Sequence, residues 1–412
     1  MTPNMSPLKY MGSKRSLAPQ IAALVAQHGR PTVVDAFAGT CAVGTAVAGN
    51  HRVFANDVHA FAEVIARTLL VVTARTPLPS EAWEELLPFY EKNFDRLQHA
   101  FAAHVSAEER LLSEVQIAGW KQFLQFSQVE VARPVPRRIS ALAPISEYRT
   151  GRKRVPYSLF SRFYAHAYFG LKQSIEIDSL RYAIDRADQS RRDIYLFALL
   201  NAVSHCAATP GHFAQFLVPR DEANTRYVAR IRRRSIRSYF NEALLALNKP
   251  RCLDRRANRV FRSDATEFVR SLAARARGTR LVIYADPPYS RAQYSRYYHV
   301  LETLVLYDYP DATGKGRYRD DRFETDFSRK GKVIGALGNF VEAAAITGSP
   351  LFLSYPRNGL VYQAGGDVLS ILKRHYRKAT IAASIDLNHS TMGAAPGSAS
   401  IKVMEDVYHA EP

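Results

Sequence analysis

The sequence is poor in cysteine, in long apolar runs and in acidic residues, and the first two shortages exclude whole classes of protein. The three cysteines, Cys41, Cys206 and Cys252, are too scattered for a disulfide framework or a zinc site. No apolar run approaches the ~20 residues that span a bilayer, and the N-terminus lacks the apolar segment of a secretory signal. We therefore expect a soluble cytoplasmic protein.

Acidic residues are outnumbered by basic ones, 38 to 56, so the chain carries a formal net charge of +18. Because basic side chains that neutralise phosphates release counterions, this charge favours a nucleic-acid partner over a merely soluble basic surface. Apolar residues make up 47% of the chain, which is enough for a globular core. The 412 residues exceed the usual size of one core, so we expect two domains or one large insertion.

Short apolar runs that end in turns rich in Asp, Gly or Pro predict the buried parallel strands of an α/β protein. The clear candidates are residues 32–37, 52–55, 281–285 and 351–354, and the weaker ones are 259–262, 380–385 and 401–408. A helix at 40–49 fits between the first two strands, which predicts the beginning of a doubly wound, Rossmann-like sheet.

The pattern changes to helical periodicity between about residues 60 and 255, as in 82–94, 107–126 and 191–206. We interpret 76–254 as a mainly helical insertion in an α/β core formed by 1–75 and 255–412. The insertion contains a basic run at 226–237. Its candidate phosphate contacts are Arg226, Arg230, Arg232, Arg233 and Arg234, and the alternative is a solvated helix face.

The segment VVDAFAGTCAVG at 33–44 joins an apolar strand to a helix through a turn that contains Gly39. Such a turn lets a ligand approach bare backbone amides at a helix N-terminus, although a plain strand–turn–helix junction is equally compatible. The next strand ends in Asp57, which is placed to accept hydrogen bonds from ribose hydroxyls or to cap a helix. Together the two segments indicate a cofactor that carries a nucleoside.

The segment LVIYADPPY at 281–289 delivers a loop of Asp286, Pro287, Pro288 and Tyr289 to the same edge of the sheet. The two prolines fix φ and stiffen the loop, which suits a platform for a planar base. Asp286 and the Pro287 carbonyl can accept the two hydrogens of an exocyclic amine, freeing its lone pair to attack a methyl sulfonium. Tyr289 can stack on a flipped base. The alternative is a surface turn after a strand.

Basic and aromatic residues follow this loop, a mixture suited to phosphate and to the gap beside a flipped base. The candidates are Arg291, Tyr294 and Arg296. His299 is more compatible with an ordinary packed histidine. Candidate readers of base edges within the insertion include Gln173, His212 and Gln215. We find no zinc-ligand spacing, no nucleophile–His–acid set and no P-loop lysine.

Four segments together resemble the D12 class of adenine-N6 DNA methyltransferases, the group that includes Dam-type enzymes. They are KYMGSK (9–14), VVDAFAGT (33–40), AND (55–57) and ADPPYSRAQYSRYYHVLETL (285–304). The order of cofactor motif, long insertion and catalytic motif is similar to the α arrangement of that family. The resemblance implies methyl transfer from S-adenosylmethionine to adenine N6, with 76–254 as the DNA target-recognition domain.

The resemblance also implies residue roles. By position in the family's motifs, Tyr10 and Lys14 would contact the cofactor, with tyrosine in place of the usual tryptophan. Asp35, Phe37 and Gly39 match the cofactor loop, and Cys41 replaces a glycine that is common there.

Three further acids take roles by the same resemblance. Asp57 would bind the ribose, Asp264 would lie near the cofactor adenine, and Asp286 would bridge the target amine and the amino-acid end of the cofactor.

Three other functions are compatible with these residues. One is methylation of cytosine N4, whose amine has the same geometry, although such loops more often begin with Ser. Another is a DNA-binding module that has lost catalysis, and the third is methylation of RNA or protein. The expected partner is double-stranded DNA, bound by a bacterial, nucleoid-associated monomer. The resemblance allows a cognate restriction endonuclease as a further partner.

Overall fold

The computed structural model describes residue 8 and residues 14–29, 32–115, 119–132, 156–248, 257–275, 279–389 and 401–412. The chain divides into two compact units. The sheet unit contains Tyr10–Thr73, Arg251–Tyr297 and Arg322–Pro412. The helical unit contains Met1–Lys9, Ala74–Pro250 and Tyr298–Asp321.

Nine strands lie within the described residues. They are β1 (Thr32–Asp35), β2 (Arg52–Asp57), β3 (Arg259–Arg262), β4 (Leu281–Ala285), β5 (Ala312–Thr313), β6 (Tyr318–Arg319), β7 (Leu351–Pro356), β8 (Lys378–His389) and β9 (Ile401–Glu411). Seven of them form one sheet in the order β3-β2-β1-β4-β7-β9-β8. The pairs β3–β2, β2–β1, β1–β4 and β4–β7 are parallel, whereas β9 is antiparallel to both β7 and β8.

Every strand of this sheet coincides with an apolar run predicted from the sequence. β3 and β4 have the predicted bounds, and β2, β7, β8 and β9 extend beyond theirs. β1 and β4 are buried along their whole length because both have neighbouring strands on each side. Buried parallel strands read as continuous apolar runs, which is why the α/β fold class was predictable.

The helices of the sheet unit connect and cover these strands. They are Ala18–Ala26, Ala42–Val47, Ala60–Leu70, Ala265–Arg275, Tyr294–Tyr297, Val333–Ile346, Leu360–Gln363 and Val368–Lys373. Phe268, Leu337 and Phe340 from these helices share one buried cluster with Ile283 and Leu353 of the sheet. The predicted helix between β1 and β2 is confirmed as Ala42–Val47.

The helical unit carries nine helices in its described part and the short β5–β6 hairpin. The helices are Pro79–Ala100, Ala102–Glu114, Trp120–Ala132, Leu159–Phe163, Leu171–Ile184, Arg192–Cys206, Glu222–Arg232, Ile236–Leu247 and His299–Leu306. The helical periodicity at 107–126 covers parts of two helices, because one helix ends at Glu114 and another begins at Trp120. The amide of Gly119 donates to the Glu114 carbonyl at 3.0 Å, and a Cβ on Gly119 would lie 2.8 Å from the Glu114 Cβ.

The segment 298–321 belongs to the helical unit, whereas the sequence prediction placed it in the α/β core. Buried polar groups hold it there. The Tyr307 hydroxyl donates to Asp178 Oδ1, and Asp178 also accepts bonds from the amides of Phe160 and Ser161. Arg181 Nε donates to the Leu304 carbonyl at 3.0 Å. The bonds from Tyr307 to Asp178 and from Arg181 to Leu304 join residues more than a hundred positions apart, so periodicity along the sequence does not disclose them.

The part of the chain that the structure describes contains no helix with both the length and the apolar composition needed to cross a bilayer.

Candidate active site

The candidate site lies at the edge of the sheet where the parallel strands have their carboxyl ends. Asp35 ends β1, Asp57 ends β2, Asp264 follows β3 and Asp286 follows β4. Ligands of open α/β sheets bind at this edge. A pocket that opens to solvent lies there. It is lined by Ala36, Phe37, Gly39, Asn56, Asp57, Val58, His59, Ser263, Asp264, Ala265, Asp286, Pro288, Gln293, Tyr294, Ser295, Phe323, Thr325 and Phe327.

The loop after β1 is fixed by a hydrogen bond to the end of β2. Gly39 has φ of +51°, in the left-handed region that glycine adopts without strain. Its amide donates to Asp57 Oδ2 at 2.9 Å. Asp57 Oδ1 lies 3.0 Å from both the backbone amide and the Nδ1 of His59. Burial alone would raise the pKa of Asp57, but the bonds from His59 and Gly39 outweigh it and lower the pKa. Asp57 is therefore an ionised acceptor in the pocket.

The turn from β1 into the next helix packs tightly around two small residues. Cys41 is fully buried with φ of +60°, so it occupies the left-handed conformation usual for the glycine that it replaces. A Cβ placed on Gly44 would lie 2.8 Å from Cys41 Sγ, so this position has room only for glycine. The amide of Gly44 donates to Asp35 Oδ2 at 3.1 Å. This hydrogen bond to Asp35 stabilises the turn.

Asp35 is buried, and desolvation raises its pKa to about 7. The negative charges of Asp286 and Asp57 act in the same direction, while the bond from Gly44 opposes them. Asp35 lies beside the pocket rather than among its lining residues, whereas Phe37 and Gly39 line it.

Asn56 and Asp264 connect the loops after β1, β2 and β3. Asn56 Nδ2 donates to the carbonyls of Ala36 and Ser263, at 3.2 and 3.1 Å. Asp264 Oδ1 accepts the amides of Thr266 and Glu267, so it caps the helix that begins at Ala265. Asp264 also lines the pocket, as predicted for an acid near the cofactor. Its helix-capping bonds show that this predicted cofactor acid also has a structural role.

The catalytic loop predicted at 286–289 faces the pocket through Asp286 and Pro288. The side chain of Asp286 is 16% exposed, and its Oδ1 lies 2.8 Å from Lys14 Nζ. Lys14 Nζ is also 3.2 Å from Glu405 Oε1. Lys14, which the family motif placed at the cofactor, is buried against these two carboxylates, and Tyr10 lies outside the described residues.

Tyr289 is the residue predicted to stack on a base, but of Tyr289 and Tyr294 it is Tyr294 that lines the pocket. The Tyr289 ring centroid lies 5.5 Å from Lys14 Nζ, and the Tyr289 carbonyl accepts the amide of Leu360 at 2.7 Å. Stacking of Tyr289 on a base stays a prediction.

The predicted DNA contacts divide into exposed and buried groups. Arg230, Arg233, Arg291 and Arg296 are exposed, and Arg226 is half-buried. Arg232 is wrong as a DNA contact because it is 4% exposed and its NH2 group donates to the His166 carbonyl at 2.6 Å. Arg234 is half-buried, and its guanidinium donates to the His205 carbonyl.

Two of the predicted base readers are buried. Gln173 is wrong because Nε2 donates to the carbonyls of Ile231 and Arg234 and Oε1 accepts the Gly170 amide. His212 is 6% exposed, and its Nδ1 accepts the Ala214 amide, which also opposes base reading. Gln215 is exposed. His299 is confirmed as a packed histidine, with Nε2 lying 3.0 Å from the Phe213 carbonyl and 3.2 Å from the Tyr168 hydroxyl.

Several residues of the site were missed from the sequence. Gln293, Phe323, Thr325 and Phe327 line the pocket. Gln293 Nε2 donates to the Thr325 carbonyl, and its Oε1 accepts the Thr325 amide, so the two segments close on each other. Glu405 was also missed, because an acid within β9, next to Asp406, gives no sequence signal for a partner near residue 14.

The chemistry of the pocket fits a cationic nucleoside ligand. Three carboxylates line it, which favours a ligand with net positive charge. Phe37 and Phe327 offer apolar surface for a base, and their rings pack edge to face with centroids 5.6 Å apart. S-adenosylmethionine combines a base, a ribose, a sulfonium and an ammonium group, so the residues present fit it.

A sequence model described as the D12 class N6 adenine-specific DNA methyltransferase family matches residues 10–344. The modification methylase StsI of Streptococcus sanguinis is 22% identical over 376 residues, covering 89% of this chain and 46% of that protein. The modification methylase LlaI of Lactococcus lactis subsp. lactis is 24% identical over 333 residues, covering 79% and 42%.

The type II methyltransferase M.FokI of Planomicrobium okeanokoites is 27% identical over 215 residues, covering 50% of this chain and 29% of that protein. The chain therefore spans less than half the length of each of these three curated relatives.

Proposed function

Because this chain belongs to the D12 class of N6 adenine-specific DNA methyltransferases, we propose that it methylates adenine N6 at a specific site in duplex DNA, with S-adenosylmethionine as the donor. The observation that carries the proposal is the placement of Asp286 and Pro288 in the wall of an acid-lined pocket that also contains Gly39 and Asp57. One pocket thus holds both the residues expected to bind the donor and the loop expected to bind the target amine.

Donor binding is assigned to the lining residues. The ionised Asp57 would accept hydrogen bonds from the ribose hydroxyls, as acids at the end of a second strand do. Asp264 would accept a bond from the adenine amine, and Phe37 and Phe327 would pack on the adenine ring. Asp286 would attract the ammonium end and the sulfonium, since its charge faces the same cavity.

The target amine would be held by the loop itself. Asp286 accepts a hydrogen bond from one N6 hydrogen, and the Pro287 carbonyl accepts a hydrogen bond from the other. The lone pair of N6 is then less delocalised into the adenine ring and can attack the methyl group. The N6–methyl bond forms as the methyl–sulfur bond breaks and leaves a neutral thioether, and the N6 proton then passes to Asp286 and from it to solvent. The donor supplies an activated methyl group, so the contribution of the protein is positioning and electrostatics.

Adenine N6 is paired inside a duplex, so the proposal requires the target nucleotide to be flipped out of the helix. Tyr294, which lines the pocket, would stack on the flipped base. The helical unit, with exposed Arg230 and Arg233, would supply contacts to the DNA backbone.

The test is incubation of the purified chain with S-adenosylmethionine labelled in its methyl group and with unmethylated plasmid, followed by nucleoside analysis. We expect labelled N6-methyladenine. Label in N4-methylcytosine would overturn the choice of base, and an unlabelled plasmid would overturn the proposed activity.

The control is Asp286→Ala. We expect this variant to lose methyl transfer, because the acceptor for the amine is removed. Its circular dichroism spectrum should stay unchanged, because Lys14 keeps its ion pair with Glu405. Activity equal to that of the wild type would contradict the role given to Asp286.

A further inference from the structure

A buried lysine joins the proposed catalytic loop to the last strand of the sheet. Lys14 Nζ lies 2.8 Å from Asp286 Oδ1 and 3.2 Å from Glu405 Oε1. Lys14 is 6% exposed and Glu405 is fully buried. The three residues come from the start of the chain, the end of β4 and the middle of β9, so only the folded sheet unit brings them together.

Glu405 has an unusual environment for a buried carboxylate. Burying a charge costs several kcal/mol unless it is paired and hydrogen-bonded. Neither oxygen of Glu405 accepts a hydrogen bond from the residues that the structure describes. The ion pair with Lys14 offsets the cost of burying its charge. The carboxylate does not cap a helix or brace a loop in this part of the chain. Its contact is with the lysine that holds Asp286.

We propose that Lys14 and Glu405 are positioning residues for Asp286, a function that rests on the proposed methyl transfer. Lys14 holds the Asp286 carboxylate ionised and fixes the direction of its oxygens. Glu405 takes up part of the lysine charge, so that Asp286 remains a strong hydrogen-bond acceptor toward the target amine. Without Glu405, the whole charge of Lys14 would fall on Asp286 and would weaken it as an acceptor.

The other charged and titratable groups around this cluster are compatible with that role. Burial alone would lower the pKa of Lys14, but Asp286, Glu405 and Tyr289 outweigh it and raise the pKa, so the lysine stays cationic. Burial raises the pKa of both Tyr284 and Tyr289, which stay neutral. Asp35 is a further neighbour whose charge interacts with that of Asp286.

The test compares the pH dependence of kcat for the wild type, Glu405→Gln and Lys14→Met. Glutamine keeps the shape of Glu405 and removes its charge, so Asp286 ionises more easily. The acid limb, which is the fall of kcat on the low-pH side of the profile, therefore moves to lower pH. Removal of Lys14 makes Asp286 harder to ionise, so the limb moves to higher pH, by roughly 1–3 pH units. We expect kcat to fall roughly ten- to hundredfold in both variants, because the acceptor is misplaced.

The Michaelis constant for S-adenosylmethionine should change by less than about threefold in Glu405→Gln, because Glu405 is not among the residues lining the pocket. The matched control is Asp406→Asn, on the next position of β9. Asp406 is 2% exposed and pairs with Arg357, with 2.8 Å between Oδ2 and Nε. Its substitution removes a buried carboxylate from the same strand and should leave the acid limb in place.

Lys14→Met leaves two buried carboxylates without their cation and is the variant most prone to misfolding. The double variant Lys14→Met/Glu405→Gln removes both charges and completes a double-mutant cycle. We expect the acid limb of the double variant to lie above that of Glu405→Gln alone.

A second readout does not depend on activity. In protein labelled with [13C]aspartate at the carboxyl carbon, the Asp286 resonance, assigned by its loss in Asp286→Asn, should titrate at lower pH in Glu405→Gln and at higher pH in Lys14→Met. An inactive wild type with these titration shifts would overturn the proposed activity and keep the arrangement of charges. An active wild type whose pH limb and Asp286 titration are the same in Glu405→Gln would overturn the positioning role.

Discussion

At the scale of single residues, the turn after β1 is defined by the pair Cys41 and Gly44. The backbone of Cys41 is strained because a non-glycine residue there adopts the left-handed region. Its buried Sγ fills the space that a side chain on residue 44 would need. The other neighbours of that space, Asp35 Oδ2 and Val53 Cγ1, are 3.5 Å away, which is ordinary contact. The sulfur of Cys41 is therefore the specific obstacle.

We expect Gly44→Ala to destabilise the protein by about 1–3 kcal/mol, the usual cost of overpacking a core. Cys41→Ala/Gly44→Ala should recover most of that loss, because the atom in collision is gone. Urea unfolding of both single variants and the double variant measures the coupling. Additive effects of the two substitutions would show that the collision is relieved in another way.

The raised pKa of Asp35 predicts a pH dependence of stability. Its pKa is about 7 in the folded state and 3.8 in the reference state, so the folded protein holds the proton more tightly. Stability from this group is therefore present at low pH and is lost as pH rises from about 4 to about 7. Asp35→Asn does not titrate, so relative to wild type it should gain on the order of 2–4 kcal/mol across this range.

Urea unfolding at several pH values from about 4 to about 7 measures this difference in the free energy of unfolding. Asp406→Asn is the control. Burial would raise the pKa of Asp406, but Arg357 and Ser384 outweigh it and lower the pKa below 3.8, so its stability difference from wild type should stay constant between these limits. A flat difference for Asp35→Asn would show that Asp35 is ionised in the fold throughout.

At the scale of elements, the helix Glu222–Arg232 shows why a basic run is not a uniform surface. Positions two apart on a helix point to different sides, so Arg230 is exposed while Arg232 enters the core of the helical unit. Arg232 contacts the His166 carbonyl and Ser127, and its buried charge interacts with Glu108. The two arginines therefore have different consequences when they are removed.

We expect Arg230→Ala/Arg233→Ala to weaken DNA binding and to make the plot of log affinity against log salt shallower by about 1.8, at about 0.9 for each lost phosphate contact. Unfolding stability should change little, since both side chains are exposed. Fluorescence anisotropy over a salt series measures the slope. A slope identical to that of the wild type would place both arginines away from the DNA.

Arg232→Ala is the comparison within the same helix. It should cost roughly 2–4 kcal/mol of stability because buried partners are left unpaired, while the salt slope of the folded fraction stays unchanged. If Arg232→Ala made the salt dependence of DNA binding shallower and left the free energy of unfolding unchanged, Arg232 would be a DNA contact after all.

At the scale of the whole molecule, the two units carry different parts of the proposed function. The pocket and the catalytic loop belong to the sheet unit, and the basic run 226–237 belongs to the helical unit. The net charge of +18 suits a long polyanion, whereas the pocket within this basic chain is acidic. Under the proposed function, attraction to DNA and recognition of a cationic donor would thus belong to different units.

We expect S-adenosylmethionine alone to slow hydrogen exchange at the pocket loops, around residues 36–39, 56–59, 263–265 and 286–295. At a hundredfold excess over its Kd the donor should add about 2.7 kcal/mol to the stability of the sheet unit. The helix Glu222–Arg232 should be protected only when DNA is added at low salt. Protection confined to the helical unit on adding the donor would contradict this division of roles.

The sequence by itself determined the fold class, because buried parallel strands must be apolar throughout and their ends must carry turn residues. The sequence also made the loops at 35–39, 57 and 286–289 recognisable, because the residue types that define each loop are adjacent in the chain. Those positions are at one edge of the sheet because parallel strands place their carboxyl ends together.

Only the tertiary structure decided which charges meet. Lys14, Asp286 and Glu405 are separated by hundreds of positions, and no local pattern links them, yet they share one buried cluster. The same holds for Arg232, which is buried although Arg230 and Arg233 are exposed, and for Tyr307, which Asp178 ties to the helical unit. Burial and ion pairing depend on what the rest of the fold packs against a side chain, and that is a property of three-dimensional neighbours rather than of residue order.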